Sequence, residues 1–125
     1  MFVWAASTGW IAVFLLAIAS ALPFLLRWMR ATGRSGMRVH YLLGFAIPAF
    51  ALIHTSFTMM RMRGLDQTGL WLATFALVGL FVQMSLGIEL RAPPWGQPRG
   101  LKRWHLAMMI AASGMIAGHV VLNRA

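Results

Sequence analysis

Four stretches of the chain contain no Asp, Glu, Lys or Arg, and each is at least twenty residues long: 1–26, 39–60, 67–88 and 104–123. A hydrocarbon core of ~30 Å takes about 20 helical residues to cross. Inside it a backbone N–H or C=O has no water to bond, so a crossing chain must be helical or part of a closed barrel. None of the four stretches alternates polar with apolar residues as a barrel strand does. The sequence therefore predicts four transmembrane helices, over about 3–26, 39–60, 68–89 and 103–122, joined by short loops. The expected fold class is all-α: an integral membrane four-helix bundle forming a single domain, 1–125.

Composition removes the competing classes. Of 125 residues 60% are hydrophobic and 10% charged, whereas a soluble domain carries roughly a quarter of its residues charged. Disorder requires low hydrophobicity, so it is excluded as well. With no cysteine there can be no disulfide, no thiolate metal site and no covalent c-type haem attachment. The formal charge of +9 would ordinarily point to nucleic acid or an anionic surface. Here the basic residues fall in short clusters between apolar runs, which is the pattern of membrane topology. No nucleic-acid partner is expected. The first apolar run lacks a basic leader, is too long for a signal peptide and is followed by its positive charge, so it is expected to be a span.

Charge asymmetry sets an expected orientation. Arg27, Arg30, Arg34 and Arg38 flank the first loop, and Arg91, Arg99, Lys102 and Arg103 the third. The second loop and the C-terminal end hold only Arg61, Arg63 and Arg124. Positive residues stay on the cytoplasmic side, so loops one and three are expected inside and both termini outside. Tryptophans agree: Trp4, Trp10 and Trp71 fall toward the outer ends of spans, Trp28, Trp95 and Trp104 toward the inner ends, as aromatic belts require. The Ala92–Pro98 segment, with three prolines, is expected to be a non-helical turn. Pro23 and Pro48 lie within spans, where a neighbouring helix can absorb a kink.

The four histidines carry the functional signal. His40 and His54 are 14 positions apart, and so are His105 and His119. In a helix that spacing spans ~21 Å and returns to within about 40° of the same face. Spans two and four run in the same direction, so His40 is level with His105 toward the cytoplasm and His54 with His119 toward the outside. Adding 65 carries 40, 54 and Arg38 onto 105, 119 and Arg103, as two copies of a helical hairpin would.

Two imidazoles at one depth, twice over, match the needs of bis-histidine b-type haem, which takes one ring nitrogen on each face of its iron. Two non-covalent haem b groups are the expected cofactors, with the histidines as iron ligands. Haem propionates want cations, and Arg38, Arg103 and Arg61 are the candidate partners, each also explained by topology alone. Gly44, Gly114 and Gly118 are candidates for close packing against a flat ring. Three other readings stand beside this one. A histidine in a span can be a polar residue satisfied at a helix interface. A zinc-type site would want carboxylates or thiolates, and the four uncharged stretches have none. Methionine could serve as an axial ligand, but Met59, Met60, Met108 and Met109 read as packing residues.

The segment from Arg38-Val39-His40 to Phe50-Ala51-Leu52-Ile53-His54, with Arg103-Trp104-His105 and Gly118-His119, resembles the di-haem cytochrome b superfamily. In the cytochrome b and b6 core, helices two and four of a four-helix bundle each carry two histidines at this spacing. The ferric reductase-like transmembrane domain is similar; it includes the NADPH oxidase membrane domain and the haem subunit of the periplasmic methionine-sulfoxide reductase system. The direction inferred for span two matches the ferric reductase-like scheme better. The resemblance implies His40 and His105 on an inner haem and His54 and His119 on an outer one. It implies transmembrane electron transfer as the cytochrome b subunit of a respiratory or quinol-linked reductase complex. Quinol or another redox subunit would be the partner, alongside lipid, in an oligomer or larger complex. The chain has no nucleotide-binding domain of the kind that takes hydride from NADPH. Ten arginines against one lysine fit a GC-rich genome and a bacterial inner membrane. The alternatives are a haem-containing anchor or assembly subunit of an oxidoreductase, and a small four-helix transporter. The latter class relies on an intramembrane carboxylate that these spans lack.

Overall fold

The computed structural model describes residues 2–28, 34–59, 66–91 and 99–123. They form four α-helices: α1 Phe2–Trp28, α2 Arg34–Met59, α3 Gln67–Arg91 and α4 Arg99–Leu122. All four are long and apolar enough to cross a membrane, so the all-helical, four-span fold predicted from the uncharged stretches is the one observed. The protein is a multi-pass membrane protein by this architecture. Each helix starts before its predicted span, by one residue in α1 and α3 but by several in α2, at Arg34, and α4, at Arg99. An apolar run measures only the hydrocarbon crossing. The helix itself continues into the headgroup layer, where arginine and lysine heads are solvated. The predicted turn at Ala92–Pro98 lies outside the described residues.

The chain divides into two compact units, Met1–Arg61 and Met62–Ala125. The first packs α1 on α2 and the second packs α3 on α4. Both are antiparallel hairpins. As α2 advances from His40 to His54, its neighbour on α1 falls back from Ala19 to Gly9. As α3 advances through Gly69, Gly79 and Gly87, its neighbours on α4 fall from Leu122 and Asn123 through Ala112 to His105.

Small side chains line both seams. In the first unit Thr8, Leu16, Ala19 and Ile47 are buried. In the second, Gly69, Ala76, Gly79 and Leu80 of α3 are buried, and Ala112 of α4 has 0% of its surface exposed. A Cβ built on Gly79 would stand 3.5 Å from the Ala112 Cβ and 3.7 Å from the Met108 and Met115 Cε atoms. Lipid tails are as apolar as leucine, so helices in a membrane gain little by hiding apolar surface from each other. They associate through close packing and hydrogen bonds, which small residues permit. Large apolar groups accordingly turn outward: Phe14, Leu42 and Ile110 are exposed by 67%, 70% and 61%. Such surface would aggregate in water and is at ease in lipid.

Polar groups in the spans find partners locally. The hydroxyls of Thr8, Ser20, Thr55, Ser56, Thr58, Thr74 and Ser85 each donate to the carbonyl four residues earlier, at 2.7–3.0 Å. That bond removes a donor from the hydrocarbon without needing a second helix. Asp66 begins α3 as its N-cap. Its Oδ1 accepts the Gly69 N–H at 2.8 Å and its carbonyl accepts the Leu70 N–H at 3.0 Å, which satisfies otherwise orphaned first-turn donors.

The tight α3–α4 seam generates a prediction. Ala112→Leu should destabilise the second unit by about 1–3 kcal/mol through overpacking. Gly79→Ala adds a Cβ at ordinary contact distance, and should be neutral or stabilising by up to ~1 kcal/mol. Unfolding in mixed detergent–SDS micelles, followed by circular dichroism, measures both. An A112L chain as stable as the parent would contradict the packing described.

Candidate functional site

All four histidines lie on faces that meet the neighbouring helix of their own hairpin, and all four are half-buried. His40 Nδ1 is 3.1 Å from the Ala19 carbonyl of α1. A carbonyl oxygen only accepts, so His40 Nδ1 carries the proton and donates. The ring's lone pair is then on Nε2. The acceptor is itself explained by the sequence of α1. The N–H that would bond Ala19 O in a regular helix belongs to residue 23, which is a proline inside α1, and proline has no N–H. The imidazole supplies the donor that the helix lacks. The Tyr41 ring lies edge-on to the His40 ring, with centroids 6.1 Å apart.

His119 is held in the same sense on the second hairpin. Its Nδ1 is 2.9 Å from the Gly69 carbonyl of α3, so Nδ1 again donates and Nε2 carries the lone pair. Asn123 braces this end. Its Nδ2 donates to the His119 carbonyl at 3.0 Å, and its Oδ1 accepts the Asp66 N–H at 3.2 Å. Those two bonds fix which way the amide points. Asn123 Nδ2 also lies 3.2 Å from His119 Nδ1, but two donors cannot bond each other. The shorter carbonyl contact decides where the proton sits. Asn123 stands so close to Gly69 that no Cβ could be accommodated there.

His54 lies against the backbone of α1 at Gly9. A Cβ at that position would come within 2.9 Å of both His54 Cε1 and Nδ1, closer than real Cβ contacts. Glycine is therefore required for the ring to lie where it does. His105 is set differently. Its Nε2 is 3.1 Å from the Gln83 side-chain nitrogen, and its Cε1 is 3.5 Å from where a Gly87 Cβ would stand. Gln83 Oε1 is buried with no hydrogen-bond partner among the described residues. Whichever way the amide is turned, Nε2 of His105 is engaged by α3. Only a rotation of the ring would direct that nitrogen elsewhere.

The remaining candidates are distributed as follows. Arg38 and Arg103 are exposed, two residues before His40 and His105. Arg61 lies outside the described residues. A Cβ at Gly44 or Gly114 would meet nothing within 4 Å, and one at Gly118 would meet the Leu72 Cδ1 at 2.9 Å. Among the described residues no three His, Cys, Asp or Glu side chains gather as a metal site would require; a bis-histidine iron needs only pairs.

Donor chemistry separates the histidines when tested against haem. A ligating imidazole gives iron one nitrogen and donates its other N–H to a carbonyl or carboxylate, which fixes the tautomer and raises its basicity. His40 and His119 have that arrangement through Ala19 O and Gly69 O. His54 has the close contact with the α1 backbone at Gly9. His105 has its Nε2 on Gln83 and would have to turn. No protein-family model matches the sequence, and no curated protein or solved structure is significantly similar to it.

Several supporting residues are not evident from the histidine spacing. Gln83 could have been found, because it is the one amide in the interior of a span. Ala19 could have been found by counting four back from Pro23. Gly9, Gly69 and Asn123 could not, because their importance comes from the hairpin partner. Gly9→Ala should displace the His54 ring and destabilise the first unit by about 1–3 kcal/mol. Gly100→Ala, into open space, should do neither. Histidine ring NMR and detergent–SDS unfolding read the two effects; a G9A chain with unmoved His54 signals would refute the contact.

Proposed function

We propose that this chain is a b-type cytochrome of the membrane, moving electrons between the two sides of the bilayer. The observation that carries the reading is the repeated 14-residue histidine spacing on α2 and α4. It is supported by the Nδ1–H to carbonyl bonds of His40 and His119, which give each ring the tautomer of an axial ligand. The pairing of His40 with His105, and of His54 with His119, rests on the sequence arithmetic alone. When bound, haem supplies a one-electron iron couple, and two haems at different depths divide an insulating crossing into shorter steps.

The residues' tasks follow. The four histidines would hold the haem iron through their ring nitrogens. Arg38 and Arg103, exposed near the starts of α2 and α4, would neutralise propionates at that surface, with Arg61 in the corresponding role outside. Gly44 gives a flat ring room beside His40. The apolar outer faces of the helices meet lipid. Loops one and three face the cytoplasm by the positive-inside bias, in a bacterial inner membrane. The donor or acceptor is quinol or a redox subunit bound against this small chain.

A second reading is favoured by one specific finding. Each histidine is already in contact with the partner helix of its own hairpin, and that engagement is sufficient for a purely structural role as interhelical glue. Purification in mild detergent separates the two. The cytochrome reading expects a reduced-minus-oxidised b-type spectrum with about two haems per chain by this ligand count. His40→Ala should abolish mainly one of them, and His119→Ala mainly the other. Colourless protein from haem-replete cells, or stoichiometry indifferent to both substitutions, sinks the cytochrome reading and leaves the structural one.

A further inference from the structure

Pro23 is placed where it controls His40. A proline within a helix withholds one N–H and pushes its ring against the carbonyl four residues earlier, which tilts outward. In water that carbonyl would be hydrated. In a span it must be satisfied by a neighbouring helix. In α1 the carbonyl is that of Ala19, the proline is Pro23, and the neighbouring donor is His40 Nδ1 at 3.1 Å. Ala19 is 6% exposed, so solvent is no substitute.

We propose that Pro23 is a positioning residue for His40: by leaving the Ala19 carbonyl without its helical donor, it draws the Nδ1–H tautomer and directs the Nε2 lone pair toward a ligand. The proposal deepens the cytochrome reading and takes from it only the identity of that ligand, haem iron. The tautomer claim stands on the hairpin itself. An ordinary helical residue at 23 would return an N–H to Ala19 O. His40 would then share that oxygen with a helical N–H, which weakens its bond and moves the neutral ring from Nδ1–H toward Nε2–H. A ligand imidazole that loses its carbonyl partner also loses basicity and orientation, which weakens metal binding ~10- to 100-fold in comparable arrangements.

The test uses the full chain in detergent, labelled with 15N-histidine, in haem-depleted and haem-replete preparations. In depleted protein the His40 ring nitrogens report the tautomer directly, and His119, on the other hairpin, is the internal reference. Pro23→Ala and Pro23→Gly both restore the N–H while differing in backbone stiffness. Both should shift the His40 tautomer ratio away from Nδ1–H by up to about fivefold, the weight of one whole net hydrogen bond, with His119 unchanged. In replete protein the same variants should release one of the two haems at least tenfold more readily than the parent. An unchanged His40 tautomer in both variants overturns the proposal, even where the protein binds haem and loses it on His40→Ala. A shifted tautomer in a chain that never binds haem supports the anchor and removes the cytochrome reading instead. A shift seen with glycine but not alanine would attribute the effect to backbone loosening and overturn the proposal.

Discussion

An imidazole in hydrocarbon has an N–H that water cannot satisfy, and the structure of both hairpins is organised around giving it a partner. A helical carbonyl keeps a second lone pair, but a ring on another helix reaches it only where the two backbones come close. His40 takes the carbonyl made vacant by Pro23, and His119 reaches a carbonyl in the first turn of α3. His105 relies on the one amide inside a span, Gln83. The threonines and serines need no such help, because their hydroxyls reach back four residues along their own helix. Histidine is too rigid to do so, and this is why its position fixes where two helices must touch.

Close approach is the second half of the same constraint. A ring can reach a neighbouring backbone only where no side chain intervenes, and Gly9, Gly69 and Gly87 stand at three of the four histidine contacts. The same small residues make the seams of the hairpins tight in a solvent that offers no hydrophobic drive for helix pairing. Packing and polar satisfaction are therefore one arrangement. The bond from Nδ1 to a carbonyl holds two helices together and, in the same act, decides which ring nitrogen has a lone pair. A structural histidine and a pre-set ligand differ only in what meets Nε2.

The fold class was legible because hydropathy is a sum along the chain: four uncharged runs of bilayer length leave little choice. The shared face of each histidine pair was equally legible from the 14-residue spacing, and both members of each pair do meet the same neighbouring helix. The starts of α2 and α4 were not, because apolar composition ends where headgroups begin and helical hydrogen bonding does not.

Sequence alone determined the number of spans, the histidine register and the vacancy at Ala19, since each follows from residue identity and the fixed pitch of a helix. Tertiary structure decided the rest: that His40 and not a hydroxyl fills that vacancy, that Gly9 carries His54, that Asn123 and Gly69 frame His119, and that Gln83 holds Nε2 of His105. Those outcomes depend on which groups of a second helix arrive within ~3 Å. Hydrogen-bond partners between helices are set by rotation and offset of the pair, and neither quantity is written in the order of residues along one of them.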